Sequence, residues 1–90
     1  MIKLEGTDFQ IAVWKELLKI PAGSTKTYKE IAVAIEKPNS SRAVANACAQ
    51  NPYAPEVPCH RVIRSDGSLG GYSAEGGIER KRQLLEMESF

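Results

Sequence analysis

Ninety residues with 42% hydrophobic and 26% charged side chains make one small domain with a modest core, and two cysteines are too few for a disulfide framework. The net charge of +1 does not by itself point to nucleic acid or to any acidic partner. No apolar run approaches a membrane span and Met1 to Asp8 holds no apolar signal core, so the expectation is a non-secreted cytoplasmic protein in a reducing compartment, with access to nucleoid or nucleus and no membrane partner.

Thr7 followed by Gln10 is a capping box, and Phe9, Val13, Trp14, Leu17 and Leu18 recur at helical spacing behind it until Pro21-Ala22-Gly23 ends the pattern. Thr27 and Glu30 form a second capping box, with Ile31, Ala34 and Ile35 marking a short helix that stops before Lys37-Pro38-Asn39-Ser40. A third helix is predicted from Asn39 or Ser40 to about Gln50, completing a helix-turn-helix outline. Helical periodicity places Ala43, Val44, Ala47 and Cys48 on one of its sides and Arg42, Ala45, Asn46 and Ala49 on the other. Alanines on the outer side suit close approach to a duplex by Arg42, and they suit equally a small helix packed between neighbours.

Three prolines between Asn51 and Pro58 exclude helix and central strand, so this stretch is a stiff loop leading to Pro58-Cys59-His60-Arg61-Val62. Arg61 to Arg64 and Ser68 to Tyr72 flank Asp66-Gly67, the strongest hairpin signal in the chain. Ser73 to Gly77 reads as a connector, and Ile78 to about Glu88 as a closing helix with Leu84, Leu85 and Met87 turned inward and Arg80, Lys81 and Arg82 as a solvated face. The predicted fold is mainly α over a single domain, residues 1–90: a small winged-helix-like helical bundle with a helix-turn-helix and one short β-hairpin.

His60 is the only histidine, so any chemistry needing a neutral imidazole base must use it, and Cys59 stands beside it. A thiol attacks only as thiolate, and a nearby imidazole, directly or through a water, is a common means of making one. A buried inert cysteine is the competing reading. Neighbouring residues diverge in helix and strand, so the pair cooperates only across a turn or a water. From Ser24 to Arg64 the charge is +3 against −2 elsewhere, a balance compatible with phosphate contact and with an ordinary solvated surface.

Pro58-Cys59-His60-Arg61-Val62, with Arg42-Ala43-Val44, Asn51-Pro52 and Gly70-Gly71-Tyr72-Ser73 around it, resembles the DNA-binding and catalytic domain of the O6-alkylguanine-DNA alkyltransferases. The likeness covers the chain from Thr7-Asp8-Phe9 to Leu84-Leu85. It implies single-turnover repair, in which an O6-alkylguanine is flipped out of double-stranded DNA and its alkyl group moves irreversibly to Cys59. It further implies that Arg42 fills the gap left by the flipped base from the minor groove, with Ser41, Ala43 and Asn46 beside it on the DNA-binding helix. Tyr28 would assist protonation of the leaving purine and rotation of the nucleotide, and Asn51 would tie the helix to the active-site loop. His60 would accept the thiol proton through a water while Glu88 orients the imidazole. Val62, Tyr72, Ser73 and Cys48 would line the substrate pocket, with the carbonyls of Cys59 and Val62 reading the exocyclic amine.

Each assignment has a plain structural competitor: Tyr28 packing on Trp14, Asn51 in an Asx turn, Glu88 a solvated acid near a terminus. The resemblance implies a monomer acting without metal or other cofactor, and the chain is expected to depart from the family pattern in lacking the additional amino-terminal domain that many members carry. Glu56 stands where many relatives have an apolar residue; a carboxylate there would oppose the thiolate unless it faces solvent. Two other classes stand beside the transferase. A lesion-sensing alkyltransferase-like protein would typically have tryptophan or another residue in place of Cys59, and a helix-turn-helix regulator would not need the Pro-Cys-His-Arg-Val motif.

Overall fold

The computed structural model describes residues 3–54, 56–70 and 77–88. Helix α1 (Asp8–Leu17) is followed by strand β1 (Lys26–Thr27), helix α2 (Tyr28–Ala34), helix α3 (Ser41–Ala49), a 3-10 turn (Cys59–Arg61), strand β2 (Val62–Ile63) and helix α4 (Gly77–Glu88).

Both capping boxes form. The Thr7 hydroxyl accepts from the Gln10 backbone N–H while Gln10 accepts from that of Thr7, and Thr27 and Glu30 repeat the exchange at α2. Such a cap is worth about 1 kcal/mol, enough to place the first turn of a short helix. α3 opens where predicted, with Ser40 at its N-cap, but the Ser40 hydroxyl makes no capping bond.

Val13, Trp14 and Leu17 of α1 are buried, and Ile20 joins them because the chain tightens after the helix, Ile20 N–H bonding the Leu17 carbonyl. Leu18, expected inside, lies at the C-cap and points to solvent. The core adds Ile31 and Ala32 of α2, the inner side of α3, Val57, Cys59 and Val62. Trp14 locks α1 to α3 by donating its indole N–H to the Ala47 carbonyl at 3.0 Å, and its ring meets Tyr53 edge-on at 5.6 Å. Tyr28, for which Trp14 was the alternative partner, packs against this core half-buried.

α2 and α3 are joined by a turn in which Glu36 adopts φ 63°, with Lys37 N–H on the Ala32 carbonyl and Glu36 N–H on that of Val33. These two bonds make a Schellman ending with a glutamate where glycine is favoured.

The mainly helical architecture matches the sequence reading, and the β component differs in its pairing. β2 lies beside β1 in parallel, Lys26 opposite Val62 and Thr27 opposite Ile63. The Asp66-Gly67 turn does form: Gly67, at φ 89°, bonds the Arg64 carbonyl, and Arg64 N–H bonds that of Ser68. Among the described residues, however, no second strand continues the expected hairpin; the α2–α3 crossover brings Val62 back to β1, as a parallel pair requires. The predicted hairpin arm at Gly71-Tyr72 and the connector up to Gly76 lie outside the described residues.

On α4 the inward stripe is Lys81, Leu84, Leu85 and Glu88, spaced at i, i+3, i+4 and i+7. Met87 lies off that stripe and is exposed, against expectation. Lys81 overturns the solvated-face reading of the basic run: it is 0% exposed, while Arg80 and Arg82 remain outside. Among the described residues no helix is long and apolar enough to cross a membrane.

Candidate active site and nucleic-acid interface

Asn51 sets up the site. Its side-chain amide donates to the Val57 carbonyl at 2.8 Å while its side-chain oxygen accepts from Tyr53 N–H at 2.9 Å, so the Asx turn and the tie between α3 and the active-site loop are one arrangement. Asn51 is buried, which makes both bonds costly to lose. The loop then tightens, Cys59 N–H bonding the Val57 carbonyl and Arg61 N–H that of Pro58, and the 3-10 turn carries Cys59 and His60 inward together. Such a turn meets the condition that adjacency alone leaves open.

His60 is 1% exposed, with Nε2 2.9 Å from Glu88 Oε2. Arg61 grips the same carboxylate with Nε at 2.8 Å and a terminal nitrogen at 2.6 Å, and its other terminal nitrogen donates to the Ile20 carbonyl at 2.8 Å. Arg61 holds the Glu88 carboxyl down at about 2, with the His60 hydrogen bond adding to the effect. An ionised carboxylate can only accept, so Nε2 carries the proton and Nδ1 presents a lone pair. That Nδ1 is buried and has no hydrogen-bond partner among the described residues. Burial pushes the His60 pKa below its ordinary value despite the opposing pull of Glu88, leaving a neutral imidazole ready to accept a proton.

Cys59 is a free thiol, 4% exposed. Burial raises its pKa, opposed first by the Asn51 side chain and then by the Lys81 charge. Glu56 is exposed and does not figure among these influences, so the carboxylate that could have opposed the thiolate faces solvent. Cys48, on the inner side of α3, is pushed up to about 12 by burial and by Cys59. The Tyr28 hydroxyl is likewise raised to about 12, chiefly by burial, so it is a proton donor at neutral pH. Gly70 approaches it closely: at φ 71°, a Cβ there would stand 3.1 Å from the Tyr28 hydroxyl. An open cleft of about 370 Å³ lies over Gly70, lined also by Arg64, Ser68, Leu69, Ile78 and Arg82.

On α3, Arg42, Ala43, Asn46 and Ala49 are exposed and Ser41 is half-buried. Ala43 therefore belongs outside, where with Asn46 it lines a recess shared with Thr7, Phe9 and Gln10 of α1, while Ala45 is half-covered. Both alanines flank the Val44-Ala47-Cys48 stripe, so periodicity could not rank them and packing did. Two of the predicted pocket residues, Tyr72 and Ser73, lie outside the described residues.

Sequence reasoning overlooked two residues. Arg61 was legible only as a letter of the motif, and Lys81 was hidden in a basic run although it occupies the inward register of Leu84 and Leu85. Lys81 Nζ donates to the Val62 carbonyl at 2.6 Å and stands 5.8 Å from the Tyr28 ring centre.

The sequence model of one family, described as "6-O-methylguanine DNA methyltransferase, DNA binding domain", matches residues 8–90. A methylated-DNA–protein-cysteine methyltransferase of Methanosarcina barkeri is 57% identical over 84 residues, which are 93% of this chain and 52% of that protein. The bifunctional transcriptional activator/DNA repair enzyme Ada of Escherichia coli is 50% identical over 98% of this chain and 24% of its own length. Among solved structures, Mycobacterium tuberculosis OGT in complex with DNA superposes with a TM-score of 0.91 at 57% identity, over 96% of this chain and 52% of that one. S. pombe Atl1 in complex with damaged DNA containing O6-carboxymethylguanine superposes with a TM-score of 0.81 at 32% identity, over 94% and 79% respectively. The chain thus spans about half the length, or less, of the curated relatives it matches.

Proposed function

The chain belongs to the family of 6-O-methylguanine DNA methyltransferase DNA-binding domains, and from that premise we propose that it repairs double-stranded DNA directly, moving the alkyl group of an O6-alkylguanine irreversibly to Cys59. The observation that carries the proposal is the arrangement behind the thiol: a buried Cys59 on the same turn as a neutral His60, whose Nε2 proton is held by Glu88 and whose Nδ1 has no partner among the described residues.

The steps follow from these groups. Cys59 transfers its proton to His60 Nδ1 by way of a water, and Glu88 stabilises the imidazolium that forms. The sulfur attacks the alkyl carbon; an S–C bond forms and the C–O bond breaks. Its electron pair leaves with the guanine, which takes up a proton with the help of the Tyr28 hydroxyl. The thioether cannot be reversed by any of these groups, so each molecule acts once. Because O6 is unreachable inside a base stack, the nucleotide must be flipped. Arg42 enters a groove and fills the gap, with Ser41 beside it, a role supported by its exposure on an outer side of α3 that also holds Ala43, Asn46 and Ala49. The close backbone approach that small side chains allow is what supports this role for α3.

The likeness to Atl1, solved on DNA containing O6-carboxymethylguanine, favours a second reading as a lesion sensor. A sensor has no use for the Cys59–His60–Glu88 arrangement. An oligonucleotide carrying labelled O6-methylguanine decides between them: one methyl per protein molecule, abolished in Cys59→Ala with DNA binding retained, is the expected outcome. Binding by the intact protein with no methyl transferred would sink the transferase and leave the sensor.

A further inference from the structure

Lys81 is a cation buried to 0% exposure in a domain whose net charge is only +1. Burying an ammonium costs several kcal/mol unless other charges and hydrogen bonds compensate for the lost water. An apolar side chain would fit the register that Lys81 shares with Leu84 and Leu85. Among the described residues, the groups that act on the ammonium come from several elements around it. They are the Tyr28 ring from α2, Cys48 from α3, Cys59 and His60 from the 3-10 turn, the Val62 carbonyl from β2 and Arg64 beyond it. Of these, only the two thiols and the Tyr28 phenol can become negative, and Cys48 and Tyr28 are both held near 12.

We propose that Lys81 is a positioning residue for the transfer reaction: α4 carries its ammonium into the interior beside the active-site turn, the Val62 carbonyl fixes it there, and its charge offsets the one that develops on Cys59 when the thiol loses its proton. This rests on the reading of Cys59 as the nucleophile. Three features support it. Burial alone keeps the Cys59 thiol protonated, and Lys81 is the one cation among the influences that oppose this. Lys81 also lowers the proton affinity of His60, so the histidine does not become charged before the thiol gives it a proton. The bond to Val62 ties the ammonium to the residue that follows the Cys59–Arg61 turn, so the charge is held beside the turn that carries the sulfur. The coupling ends with the reaction, because the thioether product is neutral and Lys81 then has no anion at Cys59.

The test is the rate of Cys59 carbamidomethylation by iodoacetamide across the neutral to alkaline range, read by mass spectrometry so that Cys59 and Cys48 are distinguished. Lys81→Met should move the midpoint of the rate profile up by about one pH unit, slowing the reaction near neutral pH about tenfold. Methyl transfer from the labelled oligonucleotide should slow by a similar factor and recover as the pH is raised. An unmoved midpoint in a folded Lys81→Met protein, judged by circular dichroism, overturns the proposal. Should that variant not fold, carbon-13 lysine NMR of the wild type and Cys59→Ser gives the reciprocal measurement. The Lys81 midpoint should fall by about one unit when the thiolate is removed, and equal midpoints overturn the coupling. A wild type that shows the coupling yet transfers no methyl would instead overturn the transferase reading alone.

Discussion

His60 Nε2 and Glu88 Oε2 stand 2.9 Å apart although 28 positions separate them in sequence. Arg61, next in the chain to His60, binds the same carboxylate through two nitrogens. Burial outweighs the pull of Glu88 on the imidazole, so Glu88 orients the ring without drawing a proton onto both its nitrogens.

Glu88→Gln should therefore slow methyl transfer about 100-fold, the scale of a disturbed general base. The amide carries no charge to stabilise the imidazolium and leaves Arg61 without its ionic partner. Single-turnover kinetics with labelled O6-methylguanine measure this, and nitrogen-15 NMR of His60 should show the proton no longer confined to Nε2. An unchanged rate would remove Glu88 from the relay.

Acid should weaken the fold through the same group. The Arg61 hydrogen bonds, then that of His60, hold the Glu88 carboxyl at about 2, below its ordinary 4.5. Above about pH 4.5 it is ionised in both folded and unfolded chains and its pairing contributes stability. As pH falls from there through about 2 the contribution, about 2 kcal/mol, is lost. His60 acts with the same sign, because burial keeps it neutral in the fold while the unfolded chain protonates below its ordinary 6.5. Urea unfolding over an acid series should show this slope, flattened below about pH 4.5 in Glu88→Gln; parallel slopes would refute the assignment.

Asn51→Ala strands the Val57 carbonyl and the Tyr53 N–H in the interior. A loss of about 2 kcal/mol is expected in chemical denaturation, accompanied by slower iodoacetamide carbamidomethylation of Cys59, whose thiolate the Asn51 amide favours. A stability loss with Cys59 reactivity untouched would limit Asn51 to a structural tie.

Glu36→Gly should stabilise the protein. Glu36 adopts φ 63° at the end of α2, where a side chain costs about 1–2 kcal/mol and glycine loses part of that gain to backbone entropy. A net gain of up to about 1 kcal/mol would raise Tm by roughly 4–8 °C in a domain this small. A lower Tm would show that the Glu36 side chain makes a compensating contact.

Arg42→Ala tests nucleotide flipping. Repair of a duplex should fall about 10-fold or more while attack on free O6-methylguanine is nearly unchanged, since only the duplex needs its gap filled. Equal losses on both substrates would remove the role in flipping.

Local rules made the helices legible. Thr7 with Gln10 and Thr27 with Glu30 are contiguous signals whose hydrogen bonds close within one turn, so they read the same in sequence and in the fold. The Pro58-Cys59-His60-Arg61-Val62 motif identified the family because five adjacent residues are specific together. Where periodicity was the only guide it failed at the edges: Leu18 and Met87 are exposed and Ala43 lies outside, because the neighbouring elements decide which flank of a stripe is covered.

The helix starts and the family were legible along the chain alone, as was the pairing of Cys59 with His60 that the proposed transfer uses, since all of these rest on residues within a few positions of one another. Only the tertiary structure decided that β2 pairs in parallel with β1, that Arg61 and His60 share Glu88, and that Lys81 is buried. These are contacts between distant segments, in which hydrogen bonds and packing across the fold offset the cost of taking charged and polar groups out of water. Spacing along a chain carries no record of that.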